Sequence, residues 1–126
     1  MLFDTDVLIW ALRGSVKAAR VIDLDSDRLI SVIGYMELIQ GARNKKEVHL
    51  IKSFLKDLRF NQISLSENIG HRAGVYMEEY FLKSGLCMAD ALQAAAAVET
   101  HVTLCTGNSK HYRAIAELEL KIFRPE

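Results

Sequence analysis

Met1-Leu-Phe-Asp-Thr-Asp-Val-Leu-Ile-Trp10 decides the fold. Leu2-Phe3 is an apolar pair that stops abruptly at Asp4-Thr5-Asp6, and Val7, Leu8, Trp10 and Ala11 then recur at helical spacing. This pattern reads as a short buried strand running straight into a helix, with Thr5 or Asp6 as the N-cap. The same change of period recurs downstream. Arg28–Val32 predicts a second strand, followed by a helix from near Gly34 that carries Glu37, Leu38 and Ala42. From Glu47 to Arg59 the spacing of Val48, Ile51, Phe54, Leu55 and Leu58 is amphipathic, and Phe60–Ser64 predicts a third strand.

Ser64-Leu-Ser-Glu67 has the form of a capping box opening a long helix. Its apolar stripe is Ile69, Ala73, Tyr76, Met77, Tyr80 and Phe81, and Gly85 is placed to stop it in a left-handed conformation. Ala89–Val98 reads as an alanine-rich helix whose small side chains allow close packing on a sheet. Val102–Thr106 is a fourth strand, His111–Leu118 a short helix and Lys121–Phe123 a last strand. Strands alternating with helices predict an α/β fold, a three-layer sandwich with a central, mostly parallel sheet of four to five strands flanked by helices.

Nothing divides this pattern. The single Pro is Pro125, and no Gly- or Ser-rich stretch interrupts the chain, so residues 1–126 read as one domain. Half of the residues are hydrophobic and 25% are charged, which suggests neither a disordered nor a membrane class. Lys+Arg and Asp+Glu both number 16, so a nucleic-acid site has to be local rather than a broad basic face. The first residues lack a basic n-region and carry an acid at position 4, unlike an export signal. Cys87 and Cys105 are the only cysteines and have no zinc spacing. They are expected as buried reduced thiols in a cytoplasmic protein.

The acids fall in a telling order. Asp4 and Asp6 end the first strand, Glu37 lies a turn into the helix after the second, Asp90 opens the alanine-rich helix, and Asn108 follows the fourth strand. Each has an ordinary reading alone: an N-cap cluster, a solvated helix residue, a first-turn acid, a turn residue. Glu37 and Asp90, however, are single charges among apolar neighbours, and open parallel sheets bind ligands outside the carboxyl ends of their strands. Carboxylates gathered there suit Mg²⁺ or Mn²⁺, which prefer hard oxygen ligands. The expectation is that the carboxyl groups of Asp4, Glu37 and Asp90 converge on one pocket at that edge, with Asn108 lining it.

Leu2–Trp10, Ser31–Gly41 around Glu37, Asp90–Ala97 and Thr106–Arg113 together resemble the four motifs of PIN domains, above all the VapC toxins of bacterial toxin–antitoxin pairs. The likeness runs over nearly the whole chain in family order. It implies an endoribonuclease that hydrolyses RNA with Mg²⁺ or Mn²⁺ on Asp4, Asp90 and Glu37. Glu37 either binds metal or acts as general base, and Thr106, Asn108 and Asp6 support them. It further implies a homodimer restrained by a VapB-like antitoxin. A basic residue of the antitoxin's tail would enter the acidic pocket, and its apolar anchors would lie on exposed parts of the first two helices, including Trp10. The chain departs from the pattern at Gly34, where a Thr is common, and at Asn108, where the family has Asp or Asn. His111 reads first as a surface residue and second as an RNA contact. Arg43-Asn-Lys-Lys46 reads as a solvated loop or a phosphate rim.

Three other functions stay in view. One is a housekeeping PIN nuclease without an antitoxin. Another is a phosphatase of the haloacid-dehalogenase type, suggested by Asp4-Thr5-Asp6 after a strand, although Val7-Leu8 do not continue that motif. The third is a non-catalytic module that keeps the fold and uses the acids to hold a basic peptide.

Overall fold

The computed structural model describes residues 1–125. Glu126, the last residue of the domain read from the sequence, lies outside the described residues. The elements in chain order are β1 (Leu2–Phe3), α1 (Thr5–Leu12), α2 (Val16–Asp23), β2 (Leu29–Ser31), α3 (Val32–Gln40) and α4 (Lys45–Asp57). They continue with β3 (Asn61–Ile63), α5 (Glu67–Ser84), α6 (Met88–Glu99), β4 (Leu104–Thr106), α7 (Ser109–Tyr112) and β5 (Leu120–Ile122). The strands form one five-stranded sheet in the order β3-β2-β1-β4-β5. Every pairing is parallel, from Leu2 opposite Leu29 and Leu104 to Thr106 opposite Ile122.

Alternation along the strands builds three layers. Leu2 and Leu104 face one apolar cluster, with Ile69, Ala73, Tyr76, Leu86 and the alanines of α6. Phe3, Ile30 and Cys105, one residue out of phase with them, face the other, with Val7, Leu8, Ile22, Leu38, Ile51 and Leu55. A period of two sends successive side chains to opposite faces, so a two-residue strand serves both cores. Helices after β1 and β2 cover one face, and α5 and α6 cover the other. The chain therefore changes direction about β1 and β4, the crevice where open α/β sheets bind ligands.

The element boundaries correct the sequence reading at several points. The N-cap of α1 is Asp4, not Thr5 or Asp6: Asp4 is extended at φ −72° and ψ 157°, and its carboxylate accepts from the Thr5 N–H. The helix expected from near Gly34 starts at Val32, because the Ser31 hydroxyl caps it by accepting from the Gly34 N–H. Ser66, not Ser64, caps α5 through the Ile69 N–H. Helix α2, capped by Ser15, is an element the sequence reading lacks.

Beyond Tyr112 the helix expected over His111–Leu118 becomes turns. Ile115 N–H bonds Tyr112 C=O and Leu118 N–H bonds Ile115 C=O, which is i→i−3 closure that tightens the chain before β5. Phe81 is 51% exposed although the apolar stripe of α5 includes it. At 100° per residue it lies about 120° round the helix from Ile69, beyond the buried face. Gly85 ends α5 at φ 70°, as its position implies. Of the two thiols only Cys105 is buried, and burial pushes it up to about 11; Cys87 is exposed. Among the described residues no helix is long and apolar enough to cross a membrane.

Candidate active site

Asp4 sits where β1 gives way to α1, and it is buried. Its Oδ1 accepts from the Thr5 N–H at 2.8 Å and from Gln93 Nε2 at 3.1 Å. Its Oδ2 accepts from the Thr106 hydroxyl at 2.8 Å and from the Tyr112 hydroxyl at 3.1 Å. An ionised carboxylate has about four lone-pair directions, and each of them faces a potential donor here, the Tyr112 hydroxyl being shared with Asp90. These donors come from α1, α6, β4 and α7, so the first strand end is the hub of the site. Parallel pairing of β4 beside β1 brings Thr106, the last residue of β4, to the same edge.

Asp90, in the first turn of α6, meets the same phenol: Tyr112 OH lies 3.1 Å from its Oδ1. Its Oδ2 lies 2.9 Å from His111 Nδ1. Only a protonated Nδ1 can donate to that carboxylate. The other tautomer would instead accept from Asn108 Nδ2, which is 3.0 Å away. Asn108 also anchors its backbone here, its N–H donating to the Thr106 hydroxyl at 3.0 Å. His111, read from the sequence as a surface residue first, thus contacts one of the principal acids, and Asn108 addresses that histidine. Burial first, then the charges of Asp4 and Asp90, drive the Tyr112 phenol far above its ordinary range, so it stays protonated and donates.

Glu37 projects from the second turn of α3, and its Oε1 accepts from the Thr5 hydroxyl at 2.7 Å. Thr5 therefore bonds Asp4 through its backbone and Glu37 through its side chain. Asp6 takes a separate position. Its Oδ1 accepts from the Val7 N–H at 2.8 Å, and its Oδ2 from the Gly107 N–H at 2.9 Å. The acids are thus chained pairwise: Asp90 to Asp4 through Tyr112, and Asp4 to Glu37 through Thr5. Among the described residues no three His, Cys, Asp or Glu side chains stand close enough to cage a metal ion. The donor chemistry nevertheless fits a hard dication: carboxylate oxygens predominate, and Mg²⁺ keeps several waters rather than demanding an all-protein cage.

Three of these residues escaped the sequence reading as site components: Tyr112, Gln93 and Thr5. The signal for Gln93 was legible. It is the one polar side chain on the buried face of α6, where Ala91, Ala94, Ala95, Ala96 and Ala97 are fully enclosed. Its Oε1 accepts from the Ser31 hydroxyl at 2.5 Å while its Nε2 donates to Asp4, so one amide ties the start of α3 to the end of β1. This also accounts for Gly34. A Cβ there would stand 3.3 Å from Gln93 Nε2 and from Ile30 Cγ1. Where a Thr would offer a hydroxyl, Gly34 makes room for an amide that serves Asp4 directly.

Asp6 gives the site a pH signature. Burial, followed by the charge of Asp4, raises its carboxyl from 3.8 to about 6, although backbone donors oppose the rise. The folded state therefore holds a proton that the unfolded state has already lost. Its stabilising contribution is complete below the unfolded value and disappears as pH rises through the folded one. Stability of the cation-free chain should fall by about 2 kcal/mol between roughly pH 4 and pH 6 on this account. Urea titrations across that range should show the slope in the parent and its loss in Asp6→Asn.

Residues 1–117 match the family model of the PIN domain. The chain belongs to the PIN domain family. Solved structures agree over almost its full length. A toxin–antitoxin complex from Klebsiella pneumoniae matches at 28% identity and TM-score 0.80, covering 99% of this chain and 97% of the other. VapBC-1 of nontypeable Haemophilus influenzae matches at 27% identity and TM-score 0.77, covering 96% of each. VapBC2 of Rickettsia felis, bound to a promoter DNA fragment, shares the fold at 22% identity and TM-score 0.82, covering 98% of each. No curated protein matches significantly. In this PIN domain the four motif segments stand on β1–α1, β2–α3, α6 and β4–α7.

Proposed function

We propose that this PIN domain is a metal-dependent endoribonuclease and the toxin of a VapBC-type pair. The observation that carries this reading is the junction of Asp4 and Asp90 across one hydroxyl, at the strand-end crevice of a fold shared with toxin–antitoxin complexes. Asp4 and Asp90 would hold Mg²⁺ or Mn²⁺, with Glu37 beside them. Such an ion, when bound, lowers the pKa of a coordinated water and offsets charge on a reacting phosphate. The remaining work belongs to the chain. Thr106 and Gln93 fix Asp4, while His111 and Tyr112 fix Asp90. The Thr5 hydroxyl holds one oxygen of Glu37, leaving the second to take a proton from the attacking water. The clustered carboxylates of Asp4, Asp6, Glu37 and Asp90 disfavour an RNA phosphate beside them unless a cation intervenes, which couples substrate binding to metal loading.

A VapB-like antitoxin and a homodimer complete the reading, in a cytoplasmic setting. A basic residue of the antitoxin tail would pair with the carboxylates, and its apolar residues need a groove. Beside the exposed Trp10, a second candidate is the cleft next to Glu37, lined by Ile9, Leu12, Leu38, Leu50 and Ile51 of α1, α3 and α4 together with Arg13, Arg43 and Glu47. The test is the lone chain on RNA with Mg²⁺ or Mn²⁺, beside chelator, together with sequencing of RNA ends after brief induction in cells. Cleavage that needs the cation and is silenced by co-expression of a neighbouring small protein supports the proposal. Phosphatase turnover without cleavage, or intact RNA under every condition, overturns it. Cleavage with no restraining partner leaves a housekeeping nuclease.

Asn108 should tune the site. Because its amide faces His111 and its backbone is fixed by Thr106, Asn108→Asp adds a charge without moving the loop. Divalent affinity should rise several-fold, read by calorimetric titration. Equal affinity in the two forms would confine residue 108 to the histidine.

A further inference from the structure

Three of the four donors on Asp4 are fixed by commitments elsewhere. The Thr5 N–H is set by the start of α1. Gln93 is fully buried and held at its other end by Ser31, itself the cap of α3. The Thr106 hydroxyl accepts from the Asn108 N–H, which directs its single proton toward Asp4. Tyr112 differs. Its one proton faces two acceptors at the same distance, 3.1 Å from Asp4 Oδ2 and 3.1 Å from Asp90 Oδ1. A phenol can donate only once, so at any moment one of these contacts lacks a proton. It is the tie on Asp4 whose proton has a second acceptor in reach, and it belongs to the four-residue helix α7, which gives way to turns after Tyr112.

We propose that the Tyr112 hydroxyl is a removable bridge across Asp4 and Asp90, which a divalent cation must displace from Asp4 before the two acids can share it. The inference rests on the metal-dependent reading above. The geometry supplies the reason. Asp4 can offer an oxygen to a cation only by giving up one of its donors, and the phenol is the donor with another acceptor already in reach. Turning the proton wholly to Asp90 frees Asp4 Oδ2 while Thr5, Gln93 and Thr106 keep the carboxylate in place. Tyr112 is thus a positioning residue that competes with the ion. It keeps two like charges together at low cation concentration and sets the concentration at which the site loads.

The test is Mn²⁺ binding measured by electron paramagnetic resonance of the free ion, with no RNA present. Tyr112→Phe keeps the ring in its pocket and deletes the bridge. It should bind Mn²⁺ about tenfold more tightly than the parent, the scale of one hydrogen bond to a charged group. Its melting temperature in chelator should fall, so that the gain on adding cation widens. Tyr76→Phe is the control, because that hydroxyl bonds Glu117 rather than the acids of the site; its affinity should equal the parent's. Equal or weaker Mn²⁺ binding by Tyr112→Phe overturns the bridge while leaving the metal reading intact. Absence of Mn²⁺ binding in both parent and variant overturns the metal reading and the bridge with it. Should Tyr112→Phe fail to fold, the parent labelled with 3-fluorotyrosine decides. The ¹⁹F resonance of Tyr112 should move in step with cation saturation, and a fixed resonance at saturation overturns the proposal.

Discussion

On the proposed nuclease reading, Asp4→Asn should lose RNA cleavage on the order of 1000-fold or more with little change in stability, and Asp4→Ala should lose cleavage and be markedly destabilised as well. The difference comes from the donors around the carboxylate. In Asn the amide oxygen can stay with the Thr5 N–H and Gln93 Nε2. Its NH₂ then faces two hydroxyls: Tyr112 can accept while its proton turns to Asp90, and Thr106 must rotate its proton away from residue 4. The helix cap survives, and stability should stay within about 1 kcal/mol of the parent. The charge is gone, however, and several kcal/mol of metal-borne stabilisation of a phosphoryl transition state corresponds to a rate factor of roughly that size. Alanine removes the cap, worth about 1 kcal/mol, and strands the buried Gln93 amide and two hydroxyls, at about 1–3 kcal/mol more. Calorimetric melting should separate the two variants by roughly 10 °C. An Asp4→Asn chain that melts like Asp4→Ala, or that still cuts RNA, would show Asp4 to be a structural cap only.

Gln93→Leu should destabilise the fold by about 2–3 kcal/mol, and the loss should reach Asp4, the hub of the proposed metal site, through a hydrogen bond. Leucine fills a similar volume, so the cost is chiefly polar. The Ser31 hydroxyl loses its acceptor and Asp4 loses a donor, both in enclosed surroundings. Gly34→Thr should also destabilise, by about 1–3 kcal/mol, because its Cβ presses on Gln93 and Ile30 before the rest of the side chain is placed. The double variant Gly34→Thr with Gln93→Ala is the informative one. Removing the amide clears the space, and the threonine hydroxyl can occupy part of it. Its loss should therefore be smaller than the sum of the single losses by about 1–2 kcal/mol. Denaturant titration of the parent, Gly34→Thr, Gln93→Ala and the double variant reads that coupling directly. Strict additivity would mean that Gly34 and Gln93 are unrelated and that the close approach is incidental.

The sequence by itself determined the architecture and the order of the acids. Abrupt changes of period at Asp4, near Gly34 and after Thr106 are local properties of the chain, as are the alanine run from Ala89 and the left-handed stop at Gly85. Such signals survive without tertiary contacts, because propensity and amphipathicity act within a few residues. Parallel pairing then carries the strand ends to one edge, so the neighbourhood of Asp4 and Asp90 was foreseeable in outline.

The hydrogen-bond network was decided only by tertiary structure. Tyr112 reads as an ordinary core aromatic until α7 places its hydroxyl between Asp4 and Asp90, residues 108 and 22 positions away. Gln93 and Gly34 explain each other only once α6 lies against α3. Helix α2 and the exact caps also depended on which of several competent Ser, Thr and Asp side chains met a free N–H. Local pattern selects residue types and faces, whereas a hydrogen bond needs two groups within about 3 Å in a fixed direction. Contacts at that precision between distant parts of the chain are set by how the layers pack, and no local period encodes them.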